Sequence, residues 1–149
     1  MKIATKYHGE KEIQEKEVIA FPQAIPGFPE EKEFVLLPLD EEGQFIVLQS
    51  LGNQQLAFVL SNPFTFFQEY DFTLENHIVE LLELESEEEV QVFSILTVQD
   101  PFEKTTANLQ APIIINSKKN IAKQVILNEP NYHTKHPLFD KAKPILVKG

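Results

Sequence analysis

The sequence predicts an all-β fold: a small barrel-like domain of antiparallel strands with one short helix. Three observations predict it. Short apolar runs recur at roughly 10–12-residue intervals with turn residues between them, the spacing of a sandwich or barrel. The run Val90-Gln-Val-Phe-Ser-Ile-Leu-Thr-Val98 alternates and is rich in β-branched residues, as strands are. Only residues 74–84 carry a helical period, with Leu74, Ile78, Leu81 and Leu82 on one face and Thr73 placed to cap it.

The elements follow in order. Residues 3–7 read as a short strand, Gly9 as a turn, and Val18-Ile-Ala-Phe21 as a second apolar run. Phe21-Pro-Gln-Ala-Ile-Pro-Gly-Phe-Pro29 holds three prolines and a glycine, so it is a loop. Pro26-Gly27 suits the centre of a type II turn, with Gly27 taking the positive φ. Phe34-Val-Leu-Leu-Pro-Leu39 is an edge strand or a strand end, because Pro38 removes a donor. Asp40-Glu-Glu-Gly43 turns the chain into the strand Phe45-Ile-Val-Leu-Gln-Ser50, and Gly52-Asn53 turns it again into Leu56-Ala-Phe-Val-Leu60. Asn62-Pro-Phe-Thr-Phe-Phe-Gln-Glu-Tyr70 crosses between sheet regions. Ser86-Glu-Glu-Glu89 has the spacing of a capping box. Ile113-Ile-Ile-Asn116 is a buried strand, Ser117-Lys-Lys-Asn120 a turn, and residues 121–127 a last strand. From about residue 131 the chain is polar and proline-broken, so a loose tail is expected, with Leu146 and Val147 as docking residues.

The chain has 149 residues, which fits one domain spanning 1–149. Cysteine is absent, which excludes disulfides, thiolate metal sites and thiol chemistry. No run of about 18 apolar residues exists to form a membrane helix, and the first residues lack an apolar signal-like region. A soluble cytoplasmic domain is the expectation.

All 13 basic residues are lysines, and the net charge is −10. Residues 1–103 hold 21 acids and 5 lysines, net −16; residues 104–149 hold 2 acids and 8 lysines, net +6. Without arginine, direct nucleic-acid binding is not expected. An acidic body attracts basic partners and repels polyanions; it also keeps a protein soluble.

Glycine-rich phosphate loops, the Walker motif and Gly-x-Ser-x-Gly are absent. His133-x-x-His136 has the look of a metal pair but sits in a polar segment without a ligating acid nearby, so no metal and no cofactor are expected. The acids Glu30-Glu31, Glu41-Glu42 and Glu87-Glu88-Glu89 fall in turns, as solvated faces do, and no nucleophile–base pair accompanies them. A catalytic role is not expected.

Several segments together resemble the FliW family of flagellar assembly factors. They are Phe21-Pro-Gln-Ala-Ile-Pro-Gly-Phe28, Leu48-Gln-Ser50, Phe58-Val-Leu-Ser-Asn-Pro63, Tyr70, Leu96-Thr-Val98, Thr106-Ala-Asn-Leu-Gln-Ala-Pro-Ile-Ile-Ile-Asn116 and Ala122-Lys-Gln-Val-Ile-Leu127. Gln23-Ala24 departs from the family, which often has glycine there. The resemblance implies a non-enzymatic cytoplasmic protein that binds flagellin as a chaperone does; a monomer is expected when it is free. It also implies that, once free of flagellin, the protein binds and antagonises the translational repressor CsrA. The competing reading from the residues alone is a barrel that holds a small apolar ligand.

CsrA-type repressors are basic, so the expected CsrA surface is Glu85, Glu87, Glu88 and Glu89 with Glu30 and Glu31. Flagellin calls for apolar ground, and the candidates are Ile25 and Phe28, with Phe64, Phe66 and Phe67. The same phenylalanines serve equally to fill a core that has no tryptophan. Pro26, Gly27, Asn108 and Pro112 are structural or partner-loop residues. Asn108 reads first as a turn residue whose amide satisfies backbone groups. Lysines 118, 119 and 123 read as a solvated hairpin.

Overall fold

The computed structural model describes residues 1–139, so Leu146 and Val147 lie outside it. The strands are β1 (Lys2–Ala4), β2 (Glu10–Glu12), β3 (Ile19–Ala20), β4 (Glu33–Pro38), β5 (Phe45–Ser50), β6 (Ala57–Ser61), β7 (Val90–Thr97), β8 (Thr106–Asn116), β9 (Ile121–Gln124) and β10 (His136–Pro137). Two short helices, α1 (Pro63–Phe66) and α2 (Asn76–Leu81), lie between β6 and β7.

Strands β3 to β9 close into a ring of seven. Sheet order runs β8-β7-β6-β5-β4-β3-β9, and β9 pairs back onto β8. All pairings are antiparallel except β3 with β9, a single parallel bridge between Ala20 and Ile121. Closure leaves the seven strands of the ring without a free edge at either end of the sheet.

Alternation along the strands divides the apolar residues among three cores. Phe34, Leu48, Leu60, Ile113 and Ile115, with Phe21 and Ile25, form one cluster that fills the barrel. Their neighbours in sequence point outward and are also covered. Val35 and Leu37 of β4 pack under Ile3 and Ile13 of the N-terminal hairpin. Ile114 and Leu96 pack under Tyr70, Ile78, Leu82 and Leu138. Burial on both faces is why these strands read as continuous apolar runs. The packed interior weighs against the ligand-holding barrel.

Gln49 fastens the hairpin to this frame. It is fully buried. Its amide accepts the Lys6 N–H at 2.9 Å and donates to the carbonyls of Ser50, Gln54 and Leu56.

Several expectations need correction. The described residues form two short helices, not one. Asn62 accepts the Phe64 N–H at 2.9 Å and Pro63 opens α1, so the first helix forms where only a crossing segment was expected. The second spans Asn76–Leu81 rather than 74–84, and Glu75, not Thr73, stands at its N-cap without a side-chain hydrogen bond. Residues 131–139 are held to the barrel where a loose tail was expected. Tyr132 packs on Tyr70 with ring centroids 4.7 Å apart, β10 pairs with Thr106 and Ala107 of β8, and Leu138 is buried.

Candidate partner-binding surface

A groove of about 610 Å³ lies between α2, the chain leading into it and the start of β7. Its apolar ground is Phe72, Leu74, Val79, Leu84, Val90 and Val92, each half-buried against the outer core. Phe64, 42% exposed, stands at one end with its ring 5.7 Å from that of Tyr70. Asp71, Glu85 and Glu87 also line it, and no basic residue does among the described residues. The structure therefore brings Phe64, expected on an apolar surface, together with Glu85 and Glu87, expected on an acidic one.

Local sequence fixes the acidic side. Helix α2 ends in a Schellman motif: Leu84 N–H donates to Val79 O and Glu83 N–H to Glu80 O. Glu83 takes the left-handed position at φ 53°, where glycine is usual. Asn116, fully buried at the end of β8, donates to Leu82 O at 2.8 Å and accepts the Lys118 and Lys119 N–H groups. It ties the exit of α2 to the β8–β9 turn. Lys119 then meets Glu83 at 3.1 Å.

Glu87 and Glu88 are exposed, as is Glu85. Glu89 is not part of that surface. Its carboxylate turns back and accepts the Glu85 N–H at 2.7 Å and the Ser86 N–H at 3.2 Å, closing the capping box. Those donors, the Glu85 N–H foremost, hold its carboxyl below the usual range, with Lys118 and Lys119 adding to the effect.

Glu30 is exposed, but Glu31 is half-buried and accepts the Ser50 hydroxyl at 2.7 Å. This pair stands beside the end of β5, on different support from residues 85–88.

The Pro26-Gly27 turn forms as expected, with Gly27 at φ 94° and Phe28 N–H donating to Ile25 O at 2.9 Å. Ile25 itself does not belong on an apolar patch. It is 2% exposed inside the barrel core. Phe28 is 37% exposed and meets Phe58 edge-on at 5.4 Å. Phe66 stacks on Phe45. Phe67 is half-buried and touches His136, lining a second groove with Tyr132 and Leu109.

Asn108 works within the chain. It sits in β8 where the register jumps: Phe93 pairs with Ile113, and Ile95 pairs with Asn108. Four residues, 109–112, thus bulge opposite Ser94. The Asn108 side chain accepts the Gln110 and Ala111 N–H groups. Pro112 sits in this bulge, where a missing donor costs nothing.

The sequence reading missed one surface. Tyr7, Leu39, Val98 and Phe102 are each 39–50% exposed and meet, with Phe45 and Val59, around an apolar depression of about 290 Å³. The signal available was placement: Leu39 and Val98 each extend an apolar run one residue beyond its strand, up against the turn that follows.

His133 and His136 are not arranged as a ligand pair. His136 Nε2 accepts the His133 backbone N–H at 2.8 Å, which uses the lone pair a metal needs. Among the described residues no group of three potential ligands is gathered, and no helix is long and apolar enough to cross a membrane.

The family model described as FliW protein matches residues 2–138. The chain belongs to the FliW family. It is 54% identical over 142 residues to a flagellar assembly factor FliW of Bacillus licheniformis, covering 95% of this chain and 99% of that one. To the FliW proteins of Geobacillus kaustophilus and Bacillus subtilis it is 56% and 51% identical, each covering 93% of this chain and 96% of the other. A crystal structure of the flagellar assembly factor FliW superposes with a TM-score of 0.89 at 55% identity, covering 93% of this chain and 97% of that one. FliW is a family of assembly factors and not of enzymes. Its barrel is the fold expected from the strand spacing.

Proposed function

We propose that this chain is a cytoplasmic flagellar assembly factor that works by holding other proteins. It binds flagellin before export in a chaperone-like way. When flagellin leaves, the free protein, a monomer, binds the translational repressor CsrA and relieves repression of flagellin translation. It touches neither nucleic acid nor membrane.

The observation that carries this reading is the exposed acidic group Glu85, Glu87 and Glu88 beside open apolar ground. A basic RNA-binding protein is drawn to such a surface, while RNA is repelled. The field reaches about 8 Å at physiological salt, so it acts on RNA only at close range. For flagellin, Phe28, Phe64 and Phe67 remain, joined by the depression around Tyr7 and Phe102.

The test mixes the purified chain with CsrA and with flagellin from the same bacterium. Each is expected to form a complex, and flagellin is expected to displace CsrA. Reversing Glu85, Glu87 and Glu88 to lysine is expected to slow CsrA association and flatten its salt dependence. Failure of both proteins to bind ends the proposal, and an unchanged on-rate at low salt removes the acidic surface from it.

A further inference from the structure

We infer that the groove between α2 and β7 is a docking site for a peptide segment of a protein partner, one with apolar side chains in a row and lysine or arginine flanking them. The inference rests on the reading that this protein acts by holding protein partners, and it states where and by what chemistry one of them is gripped.

Three features of the groove point to that occupant. First, Phe72, Leu74, Val79, Leu84, Val90 and Val92 form apolar ground that the described residues leave half-covered. A volume of about 610 Å³ falls within the range of roughly 300–1,000 Å³ typical of ligand sites. Several aliphatic side chains in a row fill it, and burial of apolar area supplies the affinity. Second, every ionisable residue lining it among the described residues is acidic: Asp71, Glu85 and Glu87. The nearby lysine 119 is drawn to Glu83 instead. A segment with acidic flanks is repelled and one with basic flanks is steered in, which gives direction as well as selectivity. Third, the walls are fixed before binding. The Schellman end of α2, the Asn116 amide and the Glu89 capping box hold residues 82–90, so little ordering cost falls on association.

The experiment uses the full chain with labelled leucine and valine methyl groups and a synthetic 14-residue peptide. The peptide carries leucine at helical i, i+3, i+4 and i+7 spacing and lysine elsewhere. Two controls accompany it, one with glutamate for every lysine and one with the leucines scrambled. The lysine peptide is expected to shift the methyl signals of Leu74, Val79, Leu84, Val90 and Val92, and to bind at least tenfold more tightly than either control. Phe64→Asp, and Glu85→Lys with Glu87→Lys, are expected each to weaken it about tenfold. All three positions are exposed, and thermal melts confirm that the variants fold. Equal binding of the glutamate peptide, methyl shifts confined to other cores, or unaltered affinity in both variants overturns the assignment. Groove methyl signals that move on dilution, with a concentration-dependent mass, point to a second copy and overturn it as well.

Intact CsrA and flagellin are titrated in parallel. If they bind wild type and both groove variants alike, the groove is not the docking site and the partner reading stands. If neither binds wild type while the lysine peptide fills the groove, the docking site stands and the partner reading falls.

Discussion

The Tyr70 hydroxyl donates to the Leu109 carbonyl at 2.7 Å, reaching from the segment after α1 into the bulge of β8. This bond closes a set. Leu109 and Gln110 N–H donate to His133 O, Leu127 N–H to Gln110 O, and Val125 N–H to Pro112 O. The bulge lacks ladder partners on β7, so neighbouring segments supply them. Burial, with Tyr132 nearby, pushes the Tyr70 phenol far above its usual range, so it remains a donor at every ordinary pH. Tyr70→Phe leaves a buried carbonyl without this donor. The expected loss is about 1–3 kcal/mol of unfolding free energy, read as a lower urea midpoint at unchanged slope. A variant as stable as wild type refutes the role given to this bond.

Glu83 sits in the left-handed position at the end of α2. A residue with a Cβ is disfavoured there, and glycine is not. Its exposed contact with Lys119 is worth little against that strain. Glu83→Gly is therefore expected to raise stability by about 0.5 kcal/mol. Lys119→Met is expected to change it by less than about 0.5 kcal/mol, as exposed pairs do. Asn116→Ala removes the amide that joins the same corner, and the expected cost is about 2–3 kcal/mol. Chemical denaturation of the three variants checks the order: glycine above wild type, methionine level with it, alanine well below.

What the sequence discloses and what it hides follow from how far each constraint reaches. Strands β5 and β7 announce themselves because apolar and β-branched runs are bounded by local turn residues. The acidic strand β2, Glu10–Glu12, has no apolar residue to betray it; it exists because Ile3 and Ile13 on either side pack on β4. Ile25 looked surface-bound because a Pro-Gly turn follows it, yet the turn aims its side chain inward. Glu89 carried its own signal, since Ser86-x-x-Glu89 is a capping box, and a glutamate that caps is not free to present charge. Residues 131–139 carry the least local signal. Their order depends on a β8 bulge whose unpaired groups exist only once the barrel has closed. The groove joins Phe64 to Glu85 and Glu87 across two helices, and no local spacing encodes that meeting.

Acid is expected to weaken the fold in two stages. Burial, and the proximity of His133, lower the His136 pKa below the ordinary 6.5. The unfolded chain therefore takes up that proton first, and stability must fall as pH drops below about 6.5 toward the folded-state value. Protonation also turns Nε2 from an acceptor into a donor and opposes the His133 N–H. Glu89 acts at lower pH, because its folded-state pKa lies below the ordinary 4.5. Its contribution is complete above that value and is lost as pH falls through the folded-state pKa. Urea midpoints from pH 8 to 3 should show both limbs. In His136→Gln, which keeps an acceptor without a titration, the limb below 6.5 should flatten. In Glu89→Gln the later limb should shrink while the earlier one persists.

The buried serine pair offers a sharper test of whether polar contacts inside this barrel stabilise it. Ser61 and Ser94 face each other at 3.0 Å, both fully buried, where β6 meets β7. Their roles are unequal. Ser94 has a second acceptor in the Ser61 carbonyl at 3.4 Å, whereas the Ser61 hydroxyl has Ser94 alone among the described residues. Ser94→Ala thus strands a buried hydroxyl, at an expected cost of about 1–3 kcal/mol. Ser61→Ala leaves its partner a weaker bond and should cost less. Replacing both removes the two polar groups together, so the double variant should be less destabilised than the two singles summed, by about 1 kcal/mol of coupling. Strict additivity in the cycle would mean that the two hydroxyls do not act as a pair and that β6 and β7 are held by their backbone pairing and apolar packing.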